Sequence, residues 1–262
     1  MNDIITMGID VGSTTAKCVI MKNGNEILEK SLIPYGIGTT GPERAVQQVL
    51  DRSGFSLDDF SYIIATGYGR RICETADSEM SELSCHAKGA RFLFPDAGTA
   101  IDIGGQDAKV MRIGSGGMLE DFVMNDKCAA GTGRFLDVMA RILELNVEDL
   151  GKTGALSENP AEISSTCTVF AESEVISQLA QGTPRPDIIG GINRSVAVRV
   201  SGLAKRVGVV PQVVMSGGVA QNDGVRHALE KELGVEIYAS PLSQYAGAIG
   251  AALFAFSKKT GN

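Results

Sequence analysis

The sequence predicts an α/β protein built of two related halves, each with a mixed sheet. Short apolar strands alternate with segments of helical period along the whole chain. A strand–turn–strand motif occurs twice, 92 residues apart: Ile9–Lys17 and Ile101–Lys109 agree at Ile, Asp, Gly, Ala and Lys. A second pair, Ile63–Gly69 and Val213–Val219, runs each time from an apolar strand into a glycine-rich turn. Motifs repeated in the same order mark a duplicated unit. The first half is expected to span residues 1–95 and the second 96–262, with no proline-rich linker between them.

Ile4–Val11 and Ala16–Lys22 read as two strands, and Asn23-Gly24 is a two-residue turn signal. Pro42–Arg52 carries Ala45, Val46, Val49 and Leu50 on one helical face, with Pro42 suited to a first turn. Glu82–Phe92 reads as a helix. After the second hairpin the glycine run Gly114–Gly117 turns the chain again. Phe135–Leu145, Val169–Leu179 and Ile188–Val207 are striped at helical spacing, and Gly208 is placed to cap the last of them. Asp223–Leu233 and the Ala/Gly-rich Gln244–Phe256 read as the closing helices.

Composition narrows the function. With 44% apolar and 21% charged residues the 262-residue chain is an ordinary globular one. Its net charge of −7 disfavours phosphate backbones, so no nucleic-acid partner is expected. No apolar run is long enough for a membrane span. Met1–Gly8 holds Asp3 and no basic residue, so it reads as a strand and not as a secretion signal. Five scattered cysteines without such a signal point to a reducing cytoplasm and not to a disulfide framework.

The duplicated motif carries chemistry. At Asp10-x-Gly12-Ser13-Thr14-Thr15 a strand delivers a carboxylate to a tight turn. Gly12 lets backbone N–H groups approach an anion, the hydroxyls add donors, and Asp10 is suited to hold hydrated Mg²⁺. Lys17, on the outgoing strand, is a less direct phosphate contact. The matching turn offers Asp102, Gly104, Gly105, Gln106 and Asp107. One such hairpin is an ordinary polar turn; two matched hairpins read as a pair of phosphate loops. The third element, Ser216-Gly217-Gly218-Val219-Ala220-Gln221, lets a nucleoside lie against glycine backbone. Neither a Walker loop nor GxGxxG occurs.

In this order the three elements resemble the ATPase fold of actin, the Hsp70 chaperones and sugar kinases. The resemblance implies two ribonuclease-H-like domains with ATP in the cleft between them, and Gln244 among the nucleotide contacts. Two cysteines then stand out. Cys128 stands just before a Gly-rich helix start within Ala129–Phe135, and Cys167 just before the next long helix, at Val169. Helix N-termini lower thiol pKa values and favour thiolate ligands. An iron–sulfur cluster takes four thiolates, so two per chain leave a shared cluster and two small buried apolar residues both open.

The strings Asn125–Phe135, Ser164–Glu172 and Ser81–Ala87 resemble those of the activators of 2-hydroxyacyl-CoA dehydratases, a family that includes the ATPase subunits of benzoyl-CoA reductases. The resemblance runs from Ile4 to Ala255. It implies a homodimer with one [4Fe–4S] cluster bridging the subunits through Cys128 and Cys167. It also implies ferredoxin or flavodoxin as electron donor and ATP/ADP with Mg²⁺ as the driving couple. The electron goes to a 2-hydroxyacyl-CoA dehydratase, which it starts on radical dehydration. Asp10, Asp102, Gln106 and Asp107 are the expected hydrolytic residues.

Other residues take plainer readings. Cys85 and His86 are adjacent, unlike the spaced ligands of zinc sites, and read as structural. Cys18 reads as core, Cys73 lacks a metal-like neighbour, and His227 reads as surface. Glu172 and Glu174 read as a solvated helix face, or as a contact for the partner enzyme. A small-metabolite or sugar kinase of the same fold is the alternative, and a filament-forming regulator a further one; neither needs the two cysteines.

Overall fold

Strand β1 (Ile5–Val11) is buried along almost its whole length because helices cover both sides of it. Its alternation sorts the two sides. Met7, Ile9 and Val11 join Ala45, Val46 and Val49 of α1 (Gly41–Ser53) in one core cluster. Thr6 and Gly8 face α8 (Ala246–Thr260): Thr6 Oγ1 donates to Ala252 O at 3.1 Å, and a Cβ on Gly8 would stand 1.9 Å from Ala248 O. Period two therefore puts Asp10 on the α8 side, at the end of the strand.

The computed structural model describes residues 3–164 and 166–261. The chain divides into two units. The first runs from the N-terminus to Pro95 and adds Ile113–Glu120 and the stretch from Tyr245 onward; the second is Asp96–Arg112 with Asp121–Gln244. In the first sheet β1 pairs antiparallel with β2 (Ala16–Lys22) and parallel with β4 (Tyr62–Thr66). With β3 (Glu26–Ile33) and β5 (Ser78–Glu79) the order is β3-β2-β1-β4-β5. Asn23 and Gly24 turn the β2–β3 connection, both with positive φ.

The second sheet repeats this plan. Strand β6 (Thr99–Ile103) pairs antiparallel with β7 (Ala108–Ile113) and parallel with β9 (Val213–Ser216). With β8 (Leu119–Asn125) and β10 (Ile237–Tyr238) the order is β10-β9-β6-β7-β8, the same succession read from the other edge. Two mixed sheets of one design are the related halves expected from the duplication, and they agree with the ribonuclease-H-like, actin-type fold that the resemblance implies.

The expected helices are present with small shifts at their ends. They are α2 (Glu82–Leu93), α3 (Gly133–Ile142), α5 (Thr168–Ala180), α6 (Arg185–Val207) and α7 (Asp223–Leu233). The short α4 (Asp149–Gly154) has no strong apolar stripe and is not foreseen by periodicity. Gln244 falls in a 3₁₀ turn ahead of α8, not inside the helix. Helix α6 is the spine of the second core: Ile188, Ile192, Val196 and Val200 pack with Ile101, Ile103, Phe135 and Met139. Each such side chain contributes roughly 1.5–3 kcal/mol on burial.

Helices α2 and α8 touch backbone to backbone. A Cβ on Gly250 would stand 1.8 Å from Cys85 O, and one on Gly89 1.9 Å from Ala246 O. Gly250→Ala is therefore expected to destabilise the protein by about 1–3 kcal/mol despite alanine's better helix propensity. Gly202, exposed on α6 with open space around it, is the control. Gly202→Ala should stabilise by about 0.5–1 kcal/mol. Denaturant unfolding of both variants checks the opposite signs.

Candidate functional site

The two hairpin turns close alike. Gly12 N donates to Thr15 O at 3.0 Å, and Gly104 N to Asp107 O at 2.9 Å. Each turn follows a strand whose penultimate residue is an inward aspartate. Asp10 and Asp102 are almost fully buried. Each faces a lysine in register across the hairpin: Lys17 Nζ lies 3.4 Å from Asp10 Oδ2, and Lys109 Nζ 3.3 Å from Asp102 Oδ2.

The second sequence echo also has a structural meaning. Gly67 and Gly217 follow the strands parallel to β1 and β6, and both have positive φ, +87° and +80°. A Cβ on Gly67 would stand 2.5 Å from Asp10 Oδ1, and one on Gly217 3.0 Å from Asp102 Oδ1. Both glycines supply the left-handed backbone and the room beside the carboxylate.

The hairpins then diverge. In the second, Ser216 Oγ donates to Asp102 Oδ1 at 2.8 Å, and Lys109 also reaches Asp107 Oδ2 at 2.9 Å. In the first, the matching Thr66 donates instead to Met80 O at 3.0 Å. His86, buried on α2, approaches Asp10 from another side. Its Nε2 and Asp10 Oδ2 lie 2.9 and 3.0 Å from the point where a Cβ of Gly247 would stand. His86, read from sequence as structural, thus belongs to the surroundings of Asp10. Ser13, Thr14, Thr15, Gly104 and Gly105 are half-buried, and Gln106 is exposed. Lys109 is the functional candidate the motif reading passed over, although its match to Lys17 is visible in the repeat.

The glycine-rich third element bears out its expected form. After Gly217 a 3₁₀ turn, Gly218–Gln221, leads into α7, whose N-cap Asn222 accepts from Val225 N at 3.1 Å. Gly218 is exposed with open space where a side chain would be. Gln221 Nε2 donates to Ser240 O at 3.0 Å across an open cavity of about 350 Å³ that also touches Ala220, Arg226 and Tyr238. Gln244 is half-buried.

The five cysteines separate by environment. Burial pushes the Cys18 thiol far up and the Cys85 thiol up to about 12, and it also raises Cys73, which packs against the first core. Cys128 and Cys167 are half-buried and unbridged. Cys167 is the N-cap of α5, with Ala171 N donating to its carbonyl at 3.1 Å. Cys128 lies in a turn held by Asn125, whose Nδ2 donates to Cys128 O at 2.8 Å and Ala130 O at 3.2 Å. Helix α3 starts five residues later, and its first N–H groups are engaged elsewhere. Gly133 N donates to Gly104 O at 2.9 Å, and Arg134 N to Gly105 O at 2.7 Å. The helix after Cys128 is therefore fastened to the second hairpin.

Glu174, read from sequence as a solvated face or partner contact, accepts from Ser164 N at 2.5 Å, and Ser195 Oγ donates to Ser164 O at 2.8 Å. These two bonds steady the segment leading to Cys167. Among the described residues no three His, Cys, Asp or Glu side chains gather as a metal site. Two half-buried cysteines supply at most half of a four-thiolate cluster, so another chain would have to supply the remaining ligands. No helix among the described residues is long and apolar enough to cross a membrane.

Comparison with known proteins agrees with this geometry. The pattern of the BadF/BadG/BcrA/BcrD ATPase family matches residues 7–255. The chain is 62% identical over 256 residues to the (R)-2-hydroxyglutaryl-CoA dehydratase activating ATPase of Acidaminococcus fermentans, covering 97% of this chain and 98% of the relative. The crystal structure of component A of that organism's (R)-2-hydroxyglutaryl-CoA dehydratase superposes with a TM-score of 0.95 at 61% identity, covering 98% of this chain and 99% of that one. The Clostridium difficile activator of 2-hydroxyisocaproyl-CoA dehydratase, solved with bound ADPNP, gives 0.96 at 51% identity and covers 98% and 96%.

Proposed function

The chain belongs to the BadF/BadG/BcrA/BcrD ATPase family, and from that premise we propose that it is the ATP-hydrolysing activator of a 2-hydroxyacyl-CoA dehydratase. Asp10, Gly12, Ser13, Thr14, Thr15 and Lys17 on the first hairpin, and Asp102, Gly104 and Gly105 on the second, are each the residues that would hold ATP phosphates or Mg²⁺. Gln106 and Asp107 orient the attacking water, because phosphoryl transfer needs positioning more than covalent chemistry. Gly217, Gly218, Ala220, Gln221 and Gln244 hold the nucleoside. The sugar-kinase alternative gains nothing from the named relatives.

Cys128 and Cys167 would hold an iron–sulfur cluster together with the same pair from a second copy, making a homodimer. When bound, a [4Fe–4S] cluster supplies a low-potential one-electron carrier. Ferredoxin or flavodoxin is the donor and the dehydratase the acceptor, in the reducing cytoplasm. The observation that carries the coupling is the fastening of α3 to the second hairpin through Gly104 O and Gly105 O. Through these bonds a nucleotide that shifts this hairpin would pull on the start of α3 and on the turn that bears Cys128. Differential affinity of ATP and ADP for the two positions would then drive the change.

The test is anaerobic. Iron-loaded protein, ATP and a reduced flavodoxin are mixed with a 2-hydroxyacyl-CoA dehydratase, and dehydration is followed. Dehydration that requires ATP is expected; an inactive dehydratase in the complete mixture would overturn the assignment. A second measurement isolates the coupling. Iron should be chelated faster with ATP bound than with ADP, and equal rates would sink the α3 linkage.

A further inference from the structure

We propose that Lys109 is a positioning residue for ATP turnover, its buried ammonium fixing Asp102 and Asp107 on one centre and so setting the geometry of the second hairpin. This rests on reading that hairpin as a phosphate loop. Lys109 is 2% exposed, and an ammonium is not buried so deeply without partners that compensate its lost hydration. It finds Asp102 Oδ2 at 3.3 Å and Asp107 Oδ2 at 2.9 Å. The other oxygen of Asp102 is held by Ser216 Oγ at 2.8 Å.

The surroundings are shaped for this arrangement. A Cβ on Gly104 would stand 2.5 Å from Asp107 Oδ1, so glycine there is what lets the Asp107 carboxylate fold back toward the lysine. The first hairpin has no counterpart. Its lysine meets Asp10 alone at 3.4 Å, and the residue aligned with Asp107 is Thr15. Two carboxylates share one ammonium at the second turn, where the first turn has one carboxylate on its ammonium. Asp107, held by Lys109, keeps a side chain 25% exposed, so the lysine sets where Asp107 and the exposed Gln106 beside it can hold a water.

The test is a double-mutant cycle with Lys109→Arg, Asp107→Asn and both together. Arginine keeps the charge, but its planar fork cannot place one nitrogen centrally between two carboxylates. Thermal midpoints show that each variant is folded, and binding of a non-hydrolysable ATP analogue is measured beside steady-state hydrolysis. Lys109→Arg is expected to bind the analogue within about threefold of the parent while kcat falls roughly tenfold or more. The double variant should lose little more than the worse single one, because both residues act through one cluster. A folded Lys109→Arg with the parent's kcat would overturn the proposal, as would losses that simply multiply. A parent protein that binds no ATP would instead defeat the phosphate-loop reading itself.

Discussion

Replacing Cys167 or Cys128 by serine is expected to leave the anaerobically purified protein without iron and acid-labile sulfide. Serine is a poor ligand for cluster iron, and a site shared between two copies loses two of its four thiolates with one substitution. Cys18→Ser, Cys73→Ser and Cys85→Ser should keep the iron. Their thiols are raised by burial, which disfavours the thiolate a metal needs, and Cys18 and Cys85 lie inside the first core clusters. Iron and sulfide analysis of the five variants decides it, and bleaching by any of the last three would show the ligand assignment wrong. Loss of iron should also weaken the proposed homodimer, which size-exclusion chromatography before and after air exposure reads directly.

Asp10→Ala is expected to abolish ATP turnover, by roughly a hundredfold or more in kcat, the scale seen when a preorganised polar group is removed from a transition state. Asp10 ends β1 on the α8 face, is almost fully buried, and is approached by Lys17 Nζ, by the backbone of Gly67 and by His86 Nε2. Alanine removes the carboxylate expected to position Mg²⁺ and leaves Lys17, whose side chain is only 13% exposed, without this countercharge. Asp10→Asn removes the same charge but keeps the shape and an oxygen that can accept from Lys17, so it separates loss of the carboxylate from the cavity that alanine opens. It should fold better than the alanine variant yet turn over as poorly. Normal Mg²⁺-dependent hydrolysis in either variant would remove Asp10 from the machinery.

Much of this protein was written locally. The repeat at Asp10 and Asp102, the hairpins, and the helices at Glu82, Thr168 and Asp223 follow from glycine placement and apolar period, which act over a few residues. Even the pairing of each aspartate with a lysine seven residues on is set by a short turn between two strands in register. The tertiary structure decided the rest. It joined α8 to the first unit, where glycines let three backbones touch. It brought His86 beside Asp10, gave Lys109 a second carboxylate, tied α3 to the Gly104 turn, and set Glu174 against Ser164. The His86, Glu174 and α8 contacts join residues distant in the chain, so their distances depend on sheet register and helix packing. Lys109–Asp107 lies inside one hairpin, yet it depends on how the turn folds back over Gly104. Periodicity records which side of an element is buried, but it does not say which polar atom waits on the other side.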